Sequence, residues 1–326
     1  MPYEPSTVPA QYDPTFYRRE LQKLRESMNG AQAFAYLWPQ AVAPTKPREG
    51  MVVMADGTHW NPGAGVGYYG FQGGAWVPLG GALRHGQCQF RYVSATECRL
   101  FRHSGNGLMV GDRIYPIPAA GAPLGTAGLT AGATYYVFAR ANADGSLALE
   151  AVRTTQASHA VDSITGVEVR AGDRTKSLVG MVHLSGAGQF LDDPGNRLVA
   201  SWYNPRATAG NGSTATAQTG SQTYILSGWS VRMLAWKGAA VAARMCGMAT
   251  NSVANTPSYA VIAVNGSPVG AIAPFAQPAA AGQYLAMAQN YTFTPADDGV
   301  ATGQMAMRVG GGTGAFLLNL DMEACL

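Results

Sequence analysis

Glycine and proline interrupt this chain too often for long regular elements to form. Of its 326 residues, 41 are glycine and 19 are proline. Both residue types weaken helix interiors and favour turns, so the stretches between them are short. The pattern predicts a mainly β fold of short strands and tight turns, with helix confined to a short N-terminal segment.

The segment from Arg48 to Leu79 is the clearest example of this pattern. It predicts a β-meander with strands at Met51–Met54, Tyr68–Phe71 and Trp76–Leu79. Asp56 and Gly57 form a tight-turn dipeptide. Asp56 and His59 could also suggest acid–base or metal chemistry, but one carboxylate and one imidazole are too few, and an Asp before Gly usually bonds its own backbone.

The letters of this segment, G-M-V-V-x-A-D-G-T-x-W-N-P-G-x-G-x-G-x-Y from Gly50 to Tyr69, resemble a segment common in tail and virion proteins of tailed bacteriophages. Further matching pieces lie at Leu129–Ala139, Asp144–Glu150 and Gly166–Val182, and a similar S-W-x-N element falls at Ser201–Asn204. The resemblance implies a structural, trimeric phage appendage rather than an enzyme.

The N-terminal 47 residues read as a docking arm followed by a helix. Pro2, Pro5 and Pro9 forbid a helix at the start, and Tyr3 and Tyr12 offer large contact surfaces for an arm laid on a partner. Asp13 is the predicted N-cap, with Pro14 at the first helical position.

Apolar side chains recur along this helix at heptad spacing, at Tyr17, Leu21, Leu24 and Met28. They predict either an amphipathic helix packed on its own domain or a short three-helix stem on a trimer axis. Asn29-Gly30 weakens or ends the helix, Ala31–Trp38 resumes as an apolar stretch, and prolines 39, 44 and 47 are expected to make a stiff linker.

The rest of the chain divides into further β-regions. We predict an N-terminal arm and helix at 1–47, the meander at 48–85, a middle β-domain at 86–190 and a C-terminal jelly-roll-like sandwich at 191–326. In the middle domain, Gln87–Val93 and Cys98–His103 should pair as a hairpin, and Thr134–Ala139 is a strongly β-prone strand.

Eight short segments after residue 195 fit a two-sheet jelly roll. They are Thr223–Leu226, Ser230–Trp236, Val241–Met248, Tyr259–Val264, Val269–Pro274, Gln283–Phe293, Gly303–Gly310 and Ala315–Glu323. Asn265-Gly266 is a strong hairpin turn between two of them. This region loosely resembles trimeric jelly rolls that cap viral fibres, which implies a homotrimer.

Charge is scarce along the whole chain. Only 13% of residues are charged and the formal net charge is +3, which suggests that copies of the chain cover much of the surface. The basic residues are dispersed, so no nucleic-acid partner is expected. We also expect no membrane insertion, since no apolar run is long enough, and the N-terminus does not read as a signal peptide, so the chain should fold in the host cytoplasm.

Motifs for catalysis, cofactors and metals are weak. The five histidines are scattered, and no nucleophile elbow or zinc motif is present. Asp192-Asp193 could bind calcium but reads better as a solvated loop, and Gly310–Gly314 as a hairpin loop rather than a phosphate cradle. The cysteines at 88, 98, 246 and 325 are expected to be free and buried. Trp229 and Tyr259 could stack on sugars, although core packing is the simpler interpretation.

These observations predict a non-enzymatic virion protein without cofactor, metal or catalytic residues. It would be a homotrimeric tail fibre or appendage that docks to other phage tail or portal-region proteins by its N-terminus. Its C-terminal β-domain would serve host attachment, at a surface receptor, or anchor further fibres. The alternatives are a tailspike enzyme that degrades surface polysaccharide, and a head-decoration protein.

Overall fold

The computed structural model describes residues 13–35, 38–62, 66–79, 85–213, 217–270 and 275–326, and within them it does not describe the side chains of residues 27–35 and Pro78. The chain forms two compact units, Met1–Ala82 and Leu83–Leu326. Strands dominate the described residues, and a single helix precedes them. The mainly β fold class is therefore confirmed. The predicted division of the second unit at residues 190 and 191 stays a prediction, as does the homotrimer.

The first unit contains the helix α1 and a four-stranded sheet. The elements are α1 (Pro14–Ala35), β1 (Pro39–Gln40), β2 (Val52–Ala55), β3 (Gly67–Gln72) and β4 (Ala75–Pro78). The backbone N–H of Thr15 donates to the Asp13 carboxylate at 2.8 Å, which confirms the predicted cap. Of the two alternatives predicted for Asn29-Gly30, the helix end is wrong, because α1 continues through both residues.

The predicted meander is confirmed, with strand order β1-β2-β3-β4. Val53, Ala55 and Tyr69 form its small core, and Trp60 and Trp76 pack against it. The predicted proline linker is wrong at its first residue, since Pro39 begins a strand that pairs in parallel with β2.

The second unit begins with a set of small sheets around one core. The strands are β5 (Cys88–Ser94), β6 (Glu97–Arg102), β7 (Gly107–Val110), β8 (Arg113–Pro116), β9 (Ala122–Gly125), β10 (Thr134–Ala141), β11 (Leu147–Arg153), β12 (His159–Val161), β13 (Glu168–Arg170) and β14 (Asp173–His183). β5 and β6 form the predicted hairpin. β10 lies in the middle of a larger sheet, between β11 and β14.

Two larger sheets complete this unit. Their strands, together with the short connecting ones, are β15 (Asp192–Asp193), β16 (Asn196–Arg197), β17 (Val199–Ser201), β18 (Ala207–Ser213), β19 (Ala217–Thr219), β20 (Ile225–Leu226), β21 (Val231–Ala235), β22 (Val241–Asn251), β23 (Ser258–Val264), β24 (Ser267–Pro268), β25 (Phe275–Ala276), β26 (Leu285–Phe293), β27 (Gly299–Val309) and β28 (Gly314–Cys325). β21, β27 and β23 are the centre of an eight-stranded sheet, and β18, β28, β22 and β26 run through a five-stranded one.

The inward side chains of these two sheets share one buried core. Met233 and Met305 come from the eight-stranded sheet, and Met245 and Leu320 from the five-stranded one. Asn265 and Gly266 both have positive φ, at 50° and 82°, as the predicted hairpin turn requires. The predicted strand at Val269–Pro274 is wrong at residues 269 and 270, and its other residues lie outside the described ones. β18 was not predicted.

β10 joins this core to the one beneath the smaller sheets. Tyr136 and Phe138 belong to the core shared by the two larger sheets, which we call the sandwich core. Tyr135, Val137 and Ala139 belong to the core beneath the smaller sheets. Because successive side chains of a strand point to opposite faces, a strand buried on both faces is apolar throughout. This explains the unbroken run T-Y-Y-V-F-A.

Candidate functional site

A cleft of about 510 Å³ opens in the second unit, where four aromatic rings meet several acidic and polar side chains. It is lined by Tyr136, Thr154, Ser158, His159, Trp202, Trp236, Lys237, Asp297 and Asp298. Its size lies within the ~300–1,000 Å³ range of small-molecule sites.

Strand ends deliver most of the lining side chains. His159 is the first residue of β12, and Trp202 directly follows β17. Trp236 directly follows β21, and Asp298 directly precedes β27. β21 and β27 pair antiparallel, with Ala235 opposite Gly299, so Trp236 and Asp298 lie side by side where β21 ends and β27 begins.

Hydrogen bonds made by Ser201 and Asn204 hold the backbone around Trp202 in position. The Ser201 hydroxyl accepts the N–H of Phe90 at 2.9 Å. The Asn204 side-chain amide donates to the carbonyls of Gly86 and Cys88, each at 2.8 Å. The S-W-Y-N element is therefore a clamp whose two polar residues hold the start of β5, while its tryptophan faces the cleft.

His159 lies at the centre of the site, between two carboxylates. Its Nε2 is 2.7 Å from the Asp298 carboxylate, and its Nδ1 is hydrogen-bonded to Glu168. Each ring nitrogen can donate to its carboxylate only when the ring carries both protons. Burial disfavours the charged ring, but the hydrogen bonds to Asp298 and Glu168 outweigh it and raise the pKa of His159. The site therefore holds an imidazolium between two carboxylates.

Asp298 accepts hydrogen bonds from three directions. The hydroxyl of Tyr136 donates to it at 2.7 Å and the backbone N–H of Lys237 at 2.6 Å, in addition to His159. Burial opposes ionisation of this carboxyl, but these bonds prevail and lower its pKa. Burial and the bond to Asp298 raise the pKa of Tyr136 well above that of a free phenol.

The rings around His159 hold one another in position. The centroids of Trp202 and Trp236 are 4.8 Å apart with the planes at 83°. His159 lies 5.3 Å from Trp202 and 5.0 Å from Tyr136, both in edge-to-face geometry. Such contacts are favourable for rings with a negative face and a positive edge. They give the cleft walls of fixed orientation.

Two charged side chains stand at the exposed rim of the cleft. Lys237 and Asp297 are both exposed, whereas Asp298 beside them is largely buried. Within the part of the chain that the structure describes, the side chains of Lys237, Asp297, Thr154 and Ser158 make no hydrogen bond. The rim thus offers one ammonium, one carboxylate and two hydroxyls to a ligand.

Among the described residues, no group of three or more His, Cys, Asp or Glu side chains is arranged to hold a metal ion. The Asp193 carboxylate is bonded to the N–H of Gly195, and Asp192 faces Arg197 at 3.2 Å, so this pair braces a hairpin. Asp56 accepts the backbone N–H groups of residues 58–60, as predicted for its turn. The N–H of Trp60 contributes most to lowering the Asp56 pKa, to about 2.

The predicted stem residues lie on α1, away from the cleft in sequence. Tyr17, Leu21 and Leu24 are 41%, 66% and 38% exposed. The side chain of Met28 lies outside the described residues, as do Tyr3 and Tyr12 of the predicted arm. The stem and the docking arm therefore stay predictions.

Other predicted candidates have mixed outcomes. Cys88 and Cys98 are free and buried as expected, but Cys246 and Cys325 are exposed, because both point outward from the five-stranded sheet. Trp229 packs against the sandwich core. Tyr259 is covered by the Arg308 guanidinium, which lies 3.9 Å from its ring centroid.

The sequence did not indicate His159, Glu168 or Asp298 as members of one site. His159 is one of five histidines scattered along the sequence, and it lies 139 positions before Asp298. The S-W-Y-N element at Ser201–Asn204 is the single local signal, and the sequence indicates it only through the resemblance to phage proteins, not as part of a binding surface.

Comparisons with known proteins find only distant likenesses. No protein-family model matches the chain, and no curated protein sequence matches it. A structure of infectious bursal disease virus, Gt strain, aligns at 14% identity and a TM-score of 0.29, and the VP2 subviral particle of the same virus at 14% and 0.30. Each alignment covers 81% of this chain and 66% of the viral chain, just under two thirds.

A third solved structure comes from a bacterial toxin. The insecticidal delta-endotoxin Cry8Ea1 from Bacillus thuringiensis aligns at 9% identity and a TM-score of 0.25, covering 74% of this chain and 52% of the toxin. Likenesses at this level fall short of a common fold.

Within the described part of the chain, no helix combines the length and apolar content needed to cross a membrane.

Proposed function

We propose that this chain is a structural, non-enzymatic protein of a virus particle, and specifically a homotrimeric tail fibre or appendage of a tailed bacteriophage. The observation that supports it most is the exposed apolar seam of α1. Leu21 is 66% and Leu24 38% exposed, although both occupy heptad positions that a partner helix would cover.

An isolated helix of this length is marginal in water, because most helix stability comes from packing of the apolar face. α1 has 22 residues, about 33 Å of helix, and its end is capped by Asp13. Burying each seam leucine against other copies is worth about 1.5–3 kcal/mol. Three copies on one axis would supply this contact.

The resemblance to proteins of tailed phages supports the proposal that this chain belongs to the tail of a phage particle. Its strongest segment, Gly50–Tyr69, belongs to the meander that follows the helix. In this proposal, residues 1–47 dock to tail or portal-region proteins, and the β-unit faces outward for host attachment or for anchoring a further fibre. The protein would assemble into virions in the host cytoplasm. Locating it in intact particles by electron microscopy separates this function from head decoration.

The cleft bears on the second candidate, a tailspike that degrades polysaccharide. The feature that favours it is the pair of adjacent acids Asp297 and Asp298, which lie beside tryptophans. Glycosidases place two carboxylates across the bond they cut. Asp298, however, is already engaged by His159, Tyr136 and a backbone N–H. We therefore favour binding without cleavage, and we expect purified capsule or lipopolysaccharide to keep its chain length in the presence of the protein.

The oligomeric state tests the proposal. The mass of the purified full-length chain, measured by light scattering, should be three times 34.1 kDa. Leu21→Asp should give monomers, because a carboxylate in the seam would be buried without a partner. Gln22→Asp adds the same charge beside the seam and should remain trimeric. A monomeric wild-type protein, or a trimer unaffected by Leu21→Asp, would contradict the proposal.

A further inference from the structure

We propose that the cleft between Trp202, Trp236 and Asp297 binds a saccharide of uncharged sugar units. The proposal does not depend on trimerisation or on a place in a virus particle, because every lining residue belongs to one chain. Its test is therefore separate from that of the proposed function.

The aromatic walls provide the first argument. Trp202 and Trp236 meet at 83° with centroids 4.8 Å apart, and His159 lies 5.3 Å from Trp202. Their mutual contacts fix the rings before any ligand arrives. A sugar ring presents weakly positive C–H groups on its faces, and the negative faces of aromatic rings attract such groups.

The rim provides the second argument. Lys237 and Asp297 are exposed and, among the described residues, their side chains make no hydrogen bond. Thr154 and Ser158 add two hydroxyls at the same cleft. An ammonium donates and a carboxylate accepts hydrogen bonds, so together they match the hydroxyls of a sugar, each of which can do both.

The charge balance disfavours other ligands. An anion would meet the carboxylates of Asp297 and Asp298, which line the cleft. An organic cation would meet the ammonium of Lys237 and the imidazolium of His159, which already occupies the space among the rings. A purely apolar ligand would desolvate the charged rim without replacing its hydrogen bonds with water.

Saturation-transfer NMR on the full-length protein tests this inference. The probes are methyl glycosides and β-linked disaccharides of glucose, galactose, mannose and N-acetylglucosamine, with tetramethylammonium as the cationic comparison. We expect at least one saccharide to receive saturation, strongest at the protons of one ring face, and to quench tryptophan fluorescence. Tetramethylammonium should not compete with it.

Substitutions of cleft residues test whether the saccharide binds in this cleft. Asp297→Asn keeps the shape of an exposed side chain but removes its charge, and should weaken binding by about tenfold. Asp321→Asn, an exposed carboxylate on the outer face of the five-stranded sheet, is the matched control and should bind as wild type. Trp202→Ala should abolish binding.

Three outcomes would overturn the inference. They are the absence of binding by every saccharide in the panel, affinity unchanged in both Asp297→Asn and Trp202→Ala, and displacement of the saccharide by tetramethylammonium. The Asp297→Asn result stands even if Trp202→Ala fails to fold, because residue 297 is exposed.

Discussion

Two histidines in the second unit, the partly buried His159 and the buried His183, have pKa values that are shifted in opposite directions. His159 lies between two carboxylates and is charged. His183 accepts a hydrogen bond from the Arg232 guanidinium at its Nε2, and its Nδ1 lies 2.9 Å from the Thr134 hydroxyl. Burial and the charge of Arg232 lower the pKa of His183 to about 4, so it is neutral near pH 7. The carboxylates beside His159 oppose the effect of burial on its pKa, whereas burial and the charge of Arg232 both lower the pKa of His183.

The hydrogen-bonded pair of His159 and Asp298 should make the free energy of unfolding depend on pH. The folded pKa of His159 is raised above 6.5, so its contribution is complete below pH 6.5 and is lost as the pH rises through the raised value. The folded pKa of Asp298 is lowered below 3.8, so its contribution is present above pH 3.8 and is lost as the pH falls through the lowered value.

We expect His159→Gln to lower the free energy of unfolding by about 1–3 kcal/mol near pH 5.5, since it breaks charge-assisted hydrogen bonds. The deficit should shrink as the pH rises from 5.5 through the raised pKa of His159. Urea unfolding of both proteins across this range measures it. Only the difference between them is compared, because His183 also titrates in both.

His103→Gln is the control for this experiment. Among the described residues, the His103 ring is hydrogen-bonded only to the neighbouring Ser104 hydroxyl, at 3.4 Å. The free energy of unfolding of this variant should lie within about 0.5 kcal/mol of the wild-type value. A His159→Gln deficit that does not change as the pH rises from 5.5 would show that the ring contributes packing rather than charge.

At the scale of elements, the long apolar strands could be predicted and the short polar ones could not. Thr134–Ala139 and Gln283–Phe293 were recognised because their side chains alternate or are β-prone throughout. β12 has three residues, beginning with His159, and exists because β13 pairs with it. A strand that forms only because a neighbour pairs with it has too little hydrophobic alternation to be predicted from its own sequence. β12 is such a strand, and it carries His159, the central residue of the site.

Gly247 marks a position where two strands of the five-stranded sheet approach closely. Its φ is 151°, and a Cβ placed there would lie 2.1 Å from the carbonyl oxygen of Leu317 in β28. Backbone cannot move aside as a flexible side chain can. Gly247→Ala should therefore lower the free energy of unfolding by about 2 kcal/mol or more.

Thermal unfolding measures this effect, which corresponds to about 4–8 °C for a unit of this size. Gly228→Ala is the control, because a Cβ at Gly228 meets no atom within 4 Å and the backbone there is ordinary. It should unfold within about a degree of wild type. Equal melting temperatures for the two variants would mean that β22 and β28 can separate at little cost.

At the scale of the whole molecule, the fold class followed from composition, but the site did not. Frequent glycine and proline indicated short strands, and the spacing of apolar runs located most of them. The cleft depends on pairing between strands far apart in sequence, as when β21 and β27 bring Trp236 beside Asp298. No local pattern records such a pairing, so isolated residues such as His159 and Asp298 carried no signal.

The scarcity of charge also has a structural counterpart. The outward face of the five-stranded sheet consists mainly of small or uncharged side chains, and its charged groups are Arg244, Asp321 and Glu323 among the described residues. Arg244 and Glu323 lie 3.8 Å apart and offset each other. This face and the seam of α1 are thus two separate surfaces on which copies of the chain could associate.

Removing the first unit distinguishes these two surfaces. A chain of residues 83–326 contains both buried cores of the second unit, so it should fold and unfold cooperatively. Because we assign association to the seam of α1, we expect this shortened chain to be a monomer by light scattering while the full-length protein is a trimer. The shortened chain should still bind the saccharide probe, since every cleft residue lies beyond residue 83. A shortened chain that remains trimeric would move self-association to the β-unit, where the uncharged face of the five-stranded sheet would be the surface to substitute, for example by Ala288→Lys.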